Sequence, residues 1–218
     1  MTIHEKAVKQ GLRYLNGIMN EGITYNGNLG LKLKCWGDAN WGAEEGRESV
    51  PGYVFTLAGG AISWSSKKQS SVALSSMESE YMALLHALKE QIWILRLLKE
   101  LGYNVDDQNI IYMDCQSAIA LAHNPEHHAR TKHIDIQYHF IRNRVEDGKT
   151  SLEYCPTEDM LADGLTKALG PERHKKLVKM MGMNTWQSED KGITNLMRSP
   201  KIRSGSDAGT LSPHVNTR

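Results

Sequence analysis

Apolar residues near the start of the chain recur at helical spacing. Residues 4 to about 19 are therefore predicted to form an amphipathic helix, and its apolar positions are Ala7, Leu12, Leu15 and Met19. Glycines at positions 22, 27 and 30 then interrupt the pattern and end the helix. A helix followed by a glycine-rich segment is what the end of a preceding domain would look like. Residues 1–30 are therefore predicted to be separate from the domain that follows.

From residue 31 the apolar residues alternate with polar ones, which is the period of a β-strand. Residues 31–36 are predicted to form a first strand that Asp38 closes. Residues 52–57 and 61–66 are predicted to form two more strands, because Gly59-Gly60 between them is typical of a tight hairpin turn. Three antiparallel strands therefore open the domain.

A long helix and an alternation of strands and helices are predicted next. Ser75 and Glu78 have capping-box spacing, so a helix begins near residue 76, and Gly102 ends it. Its apolar stripe, which faces the sheet, is Leu84, Leu88, Ile92, Leu95 and Leu98. Strands are predicted at 109–114 and 152–155, and helices at 115–122, 131–145, about 158–168 and 171–182. This order indicates an α/β domain over residues 31–182 whose later strands are parallel, followed by a polar, disordered tail over residues 183–218.

Composition and charge exclude several classes of protein. A net charge of +1, from 26 basic and 25 acidic residues, excludes a protein that coats DNA through a basic surface overall. The three cysteines are far apart in the sequence, which argues against a disulfide scaffold or a zinc ribbon and favours a reducing compartment. No apolar run reaches the roughly 18 residues that a membrane span needs, and the N-terminus lacks a signal peptide. We therefore expect an intracellular protein without a membrane partner.

Two aspartates stand at the ends of predicted strands. Asp38 follows the first strand and Asp114 the fourth, and ligands of α/β sheets gather at the carboxyl ends of strands. If these strands are neighbours, the two carboxylates repel each other unless a cation lies between them. Oxygen ligands alone favour Mg²⁺ or Mn²⁺ over zinc. Two unrelated surface aspartates are the alternative.

A third acid is expected from the long helix. Glu78 and Glu80 are two positions apart, so they point to different sides of the helix. Glu78 is needed at the helix cap, whereas Glu80 lies one turn before Leu84 on the stripe that faces the sheet. We therefore predict that Glu80 points inward. Asp163, a fourth candidate, is on the residues alone an ordinary helix acid.

Seven motifs, four of which contain these acids, occur in order along the chain. They cover residues 35–42, 52–57, 62–69, 73–83, 111–119, 129–142 and 161–167. Together they make the chain resemble the ribonuclease H domain of copia-type LTR retrotransposon polyproteins over residues 31–182. Residues 1–30 resemble the end of the reverse-transcriptase region that precedes that domain.

The resemblance implies a ribonuclease H-like fold, with a five-stranded mixed sheet of order 3-2-1-4-5 flanked by helices. It implies that Asp38, Glu80, Asp114 and Asp163 bind two Mg²⁺ ions, with Mn²⁺ as an alternative. The implied reaction is hydrolysis of the RNA strand of an RNA–DNA hybrid, in which one cation activates water and the other stabilises the leaving 3′ oxygen. The implied partners are the hybrid and the reverse-transcriptase domain of the same polyprotein, in a cytoplasmic virus-like particle or in the nucleus.

Recognition of RNA requires contacts to its 2′-hydroxyl groups, and several polar residues near the acids are candidates. Backbone groups near Asn40 and the side chains of Gln116 and Ser117 are predicted to supply them. Lys67 and Lys68 are either phosphate contacts or a solvated hairpin end. A second basic segment, with the same two interpretations, comprises Arg173, Lys175, Lys176 and Lys179.

The sequence departs from the ribonuclease H pattern at two positions. Residues 154–163 lack the histidine that cellular and retroviral ribonucleases H usually carry before the fourth aspartate. His133 or His139 could replace it, or one could pack and the other be solvated. Asn40 stands where the family often has a second aspartate, and we expect little effect on metal binding. A catalytically silent binding module and a DNA-cleaving nuclease are the alternative functions.

Overall fold

A computed structural model describes residues 2–42, 48–69, 72–103, 109–123 and 132–185, without the side chains of residues 132–136. Its strands are β1 (Glu21–Ile23), β2 (Lys34–Asn40), β3 (Val50–Leu57), β4 (Gly60–Ser66), β5 (Ile110–Met113), β6 (Ser151–Tyr154) and β7 (Met183–Thr185). Its α-helices are α1 (Ile3–Gly17), α2 (Ser76–Glu100), α3 (Gln116–His123), α4 (Lys132–Glu146), α5 (Asp163–Thr166) and α6 (Pro171–Met180). Short 3₁₀ turns lie at Gly27–Leu29 and Thr157–Asp159.

Five of the strands form one mixed sheet in the order β4-β3-β2-β5-β6. The first three strands of that sheet pair antiparallel, and β5 and β6 are added in parallel. Numbered by their order along the chain, the five strands lie in the order 3-2-1-4-5. The predicted α/β, ribonuclease H-like fold class is therefore confirmed.

Alternating side chains of the sheet pack against helices on its two faces. Phe55 points to the larger core, where it meets Leu84 and Leu88 of α2 together with apolar residues of α3 and α4. Its neighbour Val54 points to the other face and packs with Leu161 in the segment before α5. Leu84 and Leu88 are fully buried, as the stripe of α2 predicts, because this part of the helix lies on β2 and β3.

Two predicted elements differ from the structure. The first strand begins at Lys34 and continues through Asp38 to Asn40, because β3 pairs with it as far as Val50. Asp38 therefore lies inside β2 and does not close it. The helix predicted over residues 158–168 is a 3₁₀ turn followed by the four-residue α5, because Met160 adopts an extended conformation between them.

A two-stranded sheet joins segments from both ends of the described chain. β1 pairs antiparallel with β7, so residues 183–185 of the predicted tail form a strand with part of the predicted 1–30 segment. Gly182 has a φ of +88°, and a Cβ atom there would lie 2.7 Å from the carbonyl oxygen of Gly59. Residues 186–218 lie outside the described residues, so the predicted disorder of the tail and the division into three regions stay predictions.

None of the helices in the described ranges combines the length and the apolar character that crossing a membrane requires.

Candidate active site

Three carboxylates from separate elements meet at one edge of the large sheet. Asp38 comes from β2, Glu80 from the second turn of α2, and Asp114 directly follows β5. One carboxylate oxygen of each residue lies within 4.8 Å of the others. We call these three residues the acidic triad. They meet because β2 and β5 are adjacent parallel strands and α2 lies across β2.

The start of α2 orients Glu80 towards the sheet. The hydroxyl of Ser75 accepts a 3.1 Å hydrogen bond from the backbone N–H of Glu78, which fixes the first turn. The carboxylate of Glu78 accepts a 2.8 Å bond from the N–H of Leu74 and stays at the helix start. Glu80, two residues later, is 7 % exposed and points inward, as the spacing predicts.

The triad brings three acidic groups together, of which Asp38 and Glu80 are buried and Asp114 is half-buried. Burial, followed by the charges of Asp38 and Asp114, raises the pKa of Glu80 to about 9. Burial also raises the pKa of Asp38, although a hydrogen bond from Thr166 and the charge of Lys167 oppose that rise. The Oε2 atom of Glu80 has no hydrogen-bond partner among the described residues. Three converging carboxylates, one of which has a buried oxygen without a donor among the described residues, fit a hard divalent cation.

Neighbouring residues hold the aspartates of the triad in place. The hydroxyl of Thr157 donates a 3.0 Å hydrogen bond to Oδ2 of Asp114, and the hydroxyl of Thr166 donates to Oδ2 of Asp38. The side-chain amide of Asn40 donates a 3.0 Å bond to the carbonyl oxygen of Thr166. Asn40, which was predicted beside the RNA, thus ties the end of α5 to β2.

Asp163 lies beside Asp38 but outside the triad. Its carboxylate is fully buried, and its two oxygens accept hydrogen bonds from two different cations. Oδ1 accepts a 2.7 Å bond from Nζ of Lys167, and Oδ2 accepts one from Arg173. Lys167 also donates a 2.9 Å bond to Oδ1 of Asp38. Burial alone would lower the pKa of Lys167, but the bonds to Asp163 and Asp38 raise it above its usual range.

Sequence reasoning assigned no role to Lys167 or Thr166. The signal available was their spacing, because Lys167 follows Asp163 by four residues and such pairs face each other on a helix. Arg173 was interpreted as part of a basic face, yet it binds Asp163 and the carbonyl oxygen of Thr157. Lys176, from the same helix, pairs with Asp159 at 2.7 Å.

Lys67 and Lys68 line an open groove between the end of β4 and α2. The groove has a volume of about 740 Å³, and α2 contributes His86, Lys89 and Trp93 to its lining together with the acid Glu90. Lys68 also forms an ion pair with Glu48 at 3.2 Å. The groove lies at the same sheet edge as the triad, because Gly52 of β3 pairs with both Asp38 and Ser66.

The other predicted residues lie on α3 and α4. Gln116 and Ser117 are exposed at the start of α3, two and three residues after Asp114. His139 is exposed on α4. The side chain of His133 lies outside the described part of the chain.

Comparison with known proteins identifies relatives among transposon polyproteins. No protein-family model matches the chain. The chain is 42% identical over 183 residues to the retrovirus-related Pol polyprotein from transposon TNT 1-94 of Nicotiana tabacum, a match that covers 84% of this chain. It is 41% identical over 181 residues to the Pol polyprotein from transposon RE1 of Arabidopsis thaliana, which covers 83% of this chain. The chain spans only 14% and 12% of the length of these two relatives.

Comparison with solved structures returns ribonuclease H domains. One is LC11-RNase H1, isolated from compost, which is 17% identical with a TM-score of 0.48. That match covers 67% of this chain and 98% of the compost protein.

Proposed function

The chain is related to copia-type retrotransposon Pol polyproteins, and from this premise we propose that it is a divalent-cation-dependent ribonuclease H that hydrolyses the RNA strand of RNA–DNA hybrids. The observation that carries the proposal is the acidic triad, whose members lie 34 or more residues apart in sequence and meet within 4.8 Å. The sheet order and the seven motifs support the same reaction class.

The triad residues Asp38, Glu80 and Asp114 would hold one divalent cation. Mg²⁺ bound there would supply charge stabilisation for a phosphate and would make a nearby water more acidic. The residues of the chain do the positioning: Thr157 orients Asp114, Thr166 orients Asp38, and the cap of α2 fixes the direction of Glu80. A second Mg²⁺ would have to share Asp38 and would use Asp163.

The lysines of the open groove, Lys67, Lys68 and Lys89, support binding of the hybrid backbone. Ser66, which precedes Lys67, lies two strand spacings from Asp38, a separation of about 10 Å in the sheet. The phosphates of a duplex that places one strand at the triad would reach Lys67 and Lys68 from there. We further propose that Gln116 and Ser117, exposed beside Asp114, contact the RNA strand.

The reverse-transcriptase domain of the same polyprotein is the proposed partner. The surface of α1 supports this proposal, because Val8, Leu12 and Leu15 are 63%, 60% and 58% exposed and no residue of α1 is buried. The site of action would be the cytoplasmic virus-like particle or the nucleus, where reverse transcription places an RNA–DNA hybrid.

Cleavage of labelled nucleic acids tests the proposed reaction. With Mg²⁺ we expect cleavage of the RNA–DNA hybrid but not of single-stranded RNA or duplex DNA, and we expect EDTA to abolish it. Asp114→Asn should lower the hybrid cleavage rate by about 10²-fold or more, because a triad ligand loses its charge. Asp159→Asn is the matched control, since Asp159 pairs with Lys176 outside the triad and its loss should leave the rate unchanged.

The same assay separates the alternative functions. Hybrid binding without cleavage, at any Mg²⁺ or Mn²⁺ concentration, would assign the chain to a silent binding module. Cleavage of duplex DNA in preference to hybrid would assign it to a DNA-directed nuclease. Equal rates of hybrid cleavage for wild type and Asp114→Asn would show that the triad does not take part in the reaction.

A further inference from the structure

An ammonium group already bridges two of the buried carboxylates beside the triad. Nζ of Lys167 lies 2.9 Å from Oδ1 of Asp38 and 2.7 Å from Oδ1 of Asp163. Both carboxylates have side chains that are 0% exposed, whereas Lys167 is 32% exposed. The ammonium group of Lys167 thus lies between two buried carboxylates, although its side chain is partly exposed.

Several neighbouring groups hold Asp38, Asp163 and Lys167 in this arrangement through hydrogen bonds. α5 presents Asp163 in its first turn and Lys167 at its end, and the pair closes across that single turn. Thr166 donates to the second oxygen of Asp38, and Arg173 of α6 donates to the second oxygen of Asp163. All four oxygens of the two aspartates therefore accept hydrogen bonds from groups of the chain itself.

The oxygen that Lys167 uses on Asp163 is one that a second divalent cation would need. The same cation would also have to share Asp38 with the triad. An ammonium and a divalent cation cannot occupy this position together, because their charges repel at such short range. Lys167 has a long, flexible side chain and is partly exposed, so it can leave by rotating towards solvent while Arg173 keeps Asp163 in place.

We propose that Lys167 is a tethered cation that occupies the second metal position of this site. The chain then binds one divalent cation tightly through the acidic triad, and a second binds only when it displaces the Lys167 ammonium. The inference rests on the proposed metal dependence of the triad. It makes Lys167 a positioning residue that sets how many cations are bound at a given concentration.

Titration calorimetry of the full chain with Mn²⁺ tests the proposal without using activity. Wild type should bind one ion tightly and a second only weakly. Lys167→Gln should bind two, with the dissociation constant of the second ion lowered by about tenfold or more. Lys149→Gln is the matched control, because Lys149 also pairs with an aspartate, Asp147, but at an exposed site, and it should bind Mn²⁺ like wild type.

A charge-conserving variant separates charge from packing. Lys167→Arg keeps a cation on Asp38 and Asp163, so it should retain one tight ion like wild type. Two equally tight ions in wild type, or unchanged binding in Lys167→Gln, would overturn the inference while leaving the proposed function intact. Failure of wild type to bind any Mn²⁺ would overturn both.

Nuclear magnetic resonance of lysine NH₃⁺ groups gives a test on the wild-type chain that does not depend on the folding of a variant. The hydrogen-bonded ammonium of Lys167 should give a protected signal that survives the first equivalent of Mg²⁺. The signal should weaken or shift only as the second ion binds. Loss of the signal with the first equivalent would contradict the proposal, because the first ion would then compete directly with Lys167.

Discussion

The buried carboxyl group of Glu80 links folding to pH. Burial, then the charges of Asp38 and Asp114, raises its pKa from 4.5 to about 9. The folded chain therefore holds a proton that the unfolded chain releases between these two values. Stability from this group is fully present below pH 4.5, and it is lost as the pH rises towards 9. In EDTA, we expect the free energy of unfolding to fall across this range.

Glu80→Gln should remove that part of the pH dependence, because glutamine carries no charge at any pH. Urea denaturation in EDTA at pH 5, 7 and 9 measures the effect, and the variant should gain most over wild type at pH 9. Glu78→Gln is the control, since its carboxylate accepts a bond from Leu74 at the helix start and lies outside the triad, and it should keep the wild-type slope. An unchanged slope in Glu80→Gln would place the titrating group elsewhere.

At the scale of single residues, the sequence predicted what depends on local spacing. Glu80 could be distinguished from Glu78 because helix geometry alone decides which of them faces the sheet. The partners of Asp163 could not be predicted in this way. Arg173 reaches Asp163 only because α6 packs beside α5, and Lys167 reaches Asp38 across 129 positions of sequence.

Among the elements, the contact between β3 and α5 depends on the absence of one side chain. Gly52 pairs with Asp38 across the sheet, and a Cβ atom on it would lie 2.6 Å from Cγ2 of Thr166 and 3.3 Å from Cβ of Leu165. Gly52→Ala should therefore push α5 away from β2. We expect a loss of about 1–3 kcal/mol in the free energy of unfolding, because the added methyl group overpacks a tight contact.

The same displacement should weaken metal binding, because Thr166 would no longer donate to Asp38. Thermal denaturation and Mn²⁺ calorimetry of Gly52→Ala measure both effects. Gly37→Ala is a matched control in the neighbouring strand, since an added Cβ there meets no atom within 4 Å. Equal behaviour of the two variants would show that α5 adjusts without disturbing Asp38.

Element boundaries were harder to predict than element types. The alternation of residues 31–36 indicated a strand, but its continuation to Asn40 depends on pairing with β3, which lies far from it in sequence. The break between the 3₁₀ turn at Thr157–Asp159 and α5 likewise follows from packing: Met160 and Leu161 are fully buried on the sheet face opposite α2. Local apolar spacing does not encode these tertiary contacts.

At the scale of the whole molecule, we expect α1 to contribute less to stability than β1. α1 contains no buried residue, whereas Ile23 packs beside Val54 and the Tyr25 hydroxyl donates a 2.8 Å bond to the carbonyl oxygen of Ala61. Deleting residues 1–18 should change the free energy of unfolding by less than about 1 kcal/mol. Deleting residues 1–26 should cost several times more, because β7 then loses its partner strand.

Urea denaturation of the two truncated chains beside the full chain checks this contrast. If both deletions are equally tolerated, the chain folds without α1 and β1 and the pairing of β1 with β7 adds little. Loss of folding on deletion of residues 1–18 would instead show that the exposed apolar side chains of α1 are needed within the chain itself.

Binding of the RNA–DNA hybrid should depend on salt through the groove that Lys67 and Lys68 line with Lys89. Each lysine that neutralises a phosphate releases counterions, so Lys67→Ala should weaken binding for all hybrid sequences and reduce the slope of log K against log salt by about one. Fluorescence anisotropy with Ca²⁺ in place of Mg²⁺, at 50–200 mM salt, measures the slope without cleavage. Lys34→Ala is the control, because Lys34 is exposed at the opposite end of β2 from Asp38 and should leave the slope unchanged. Equal slopes for wild type and Lys67→Ala would show that the duplex approaches the triad from another side.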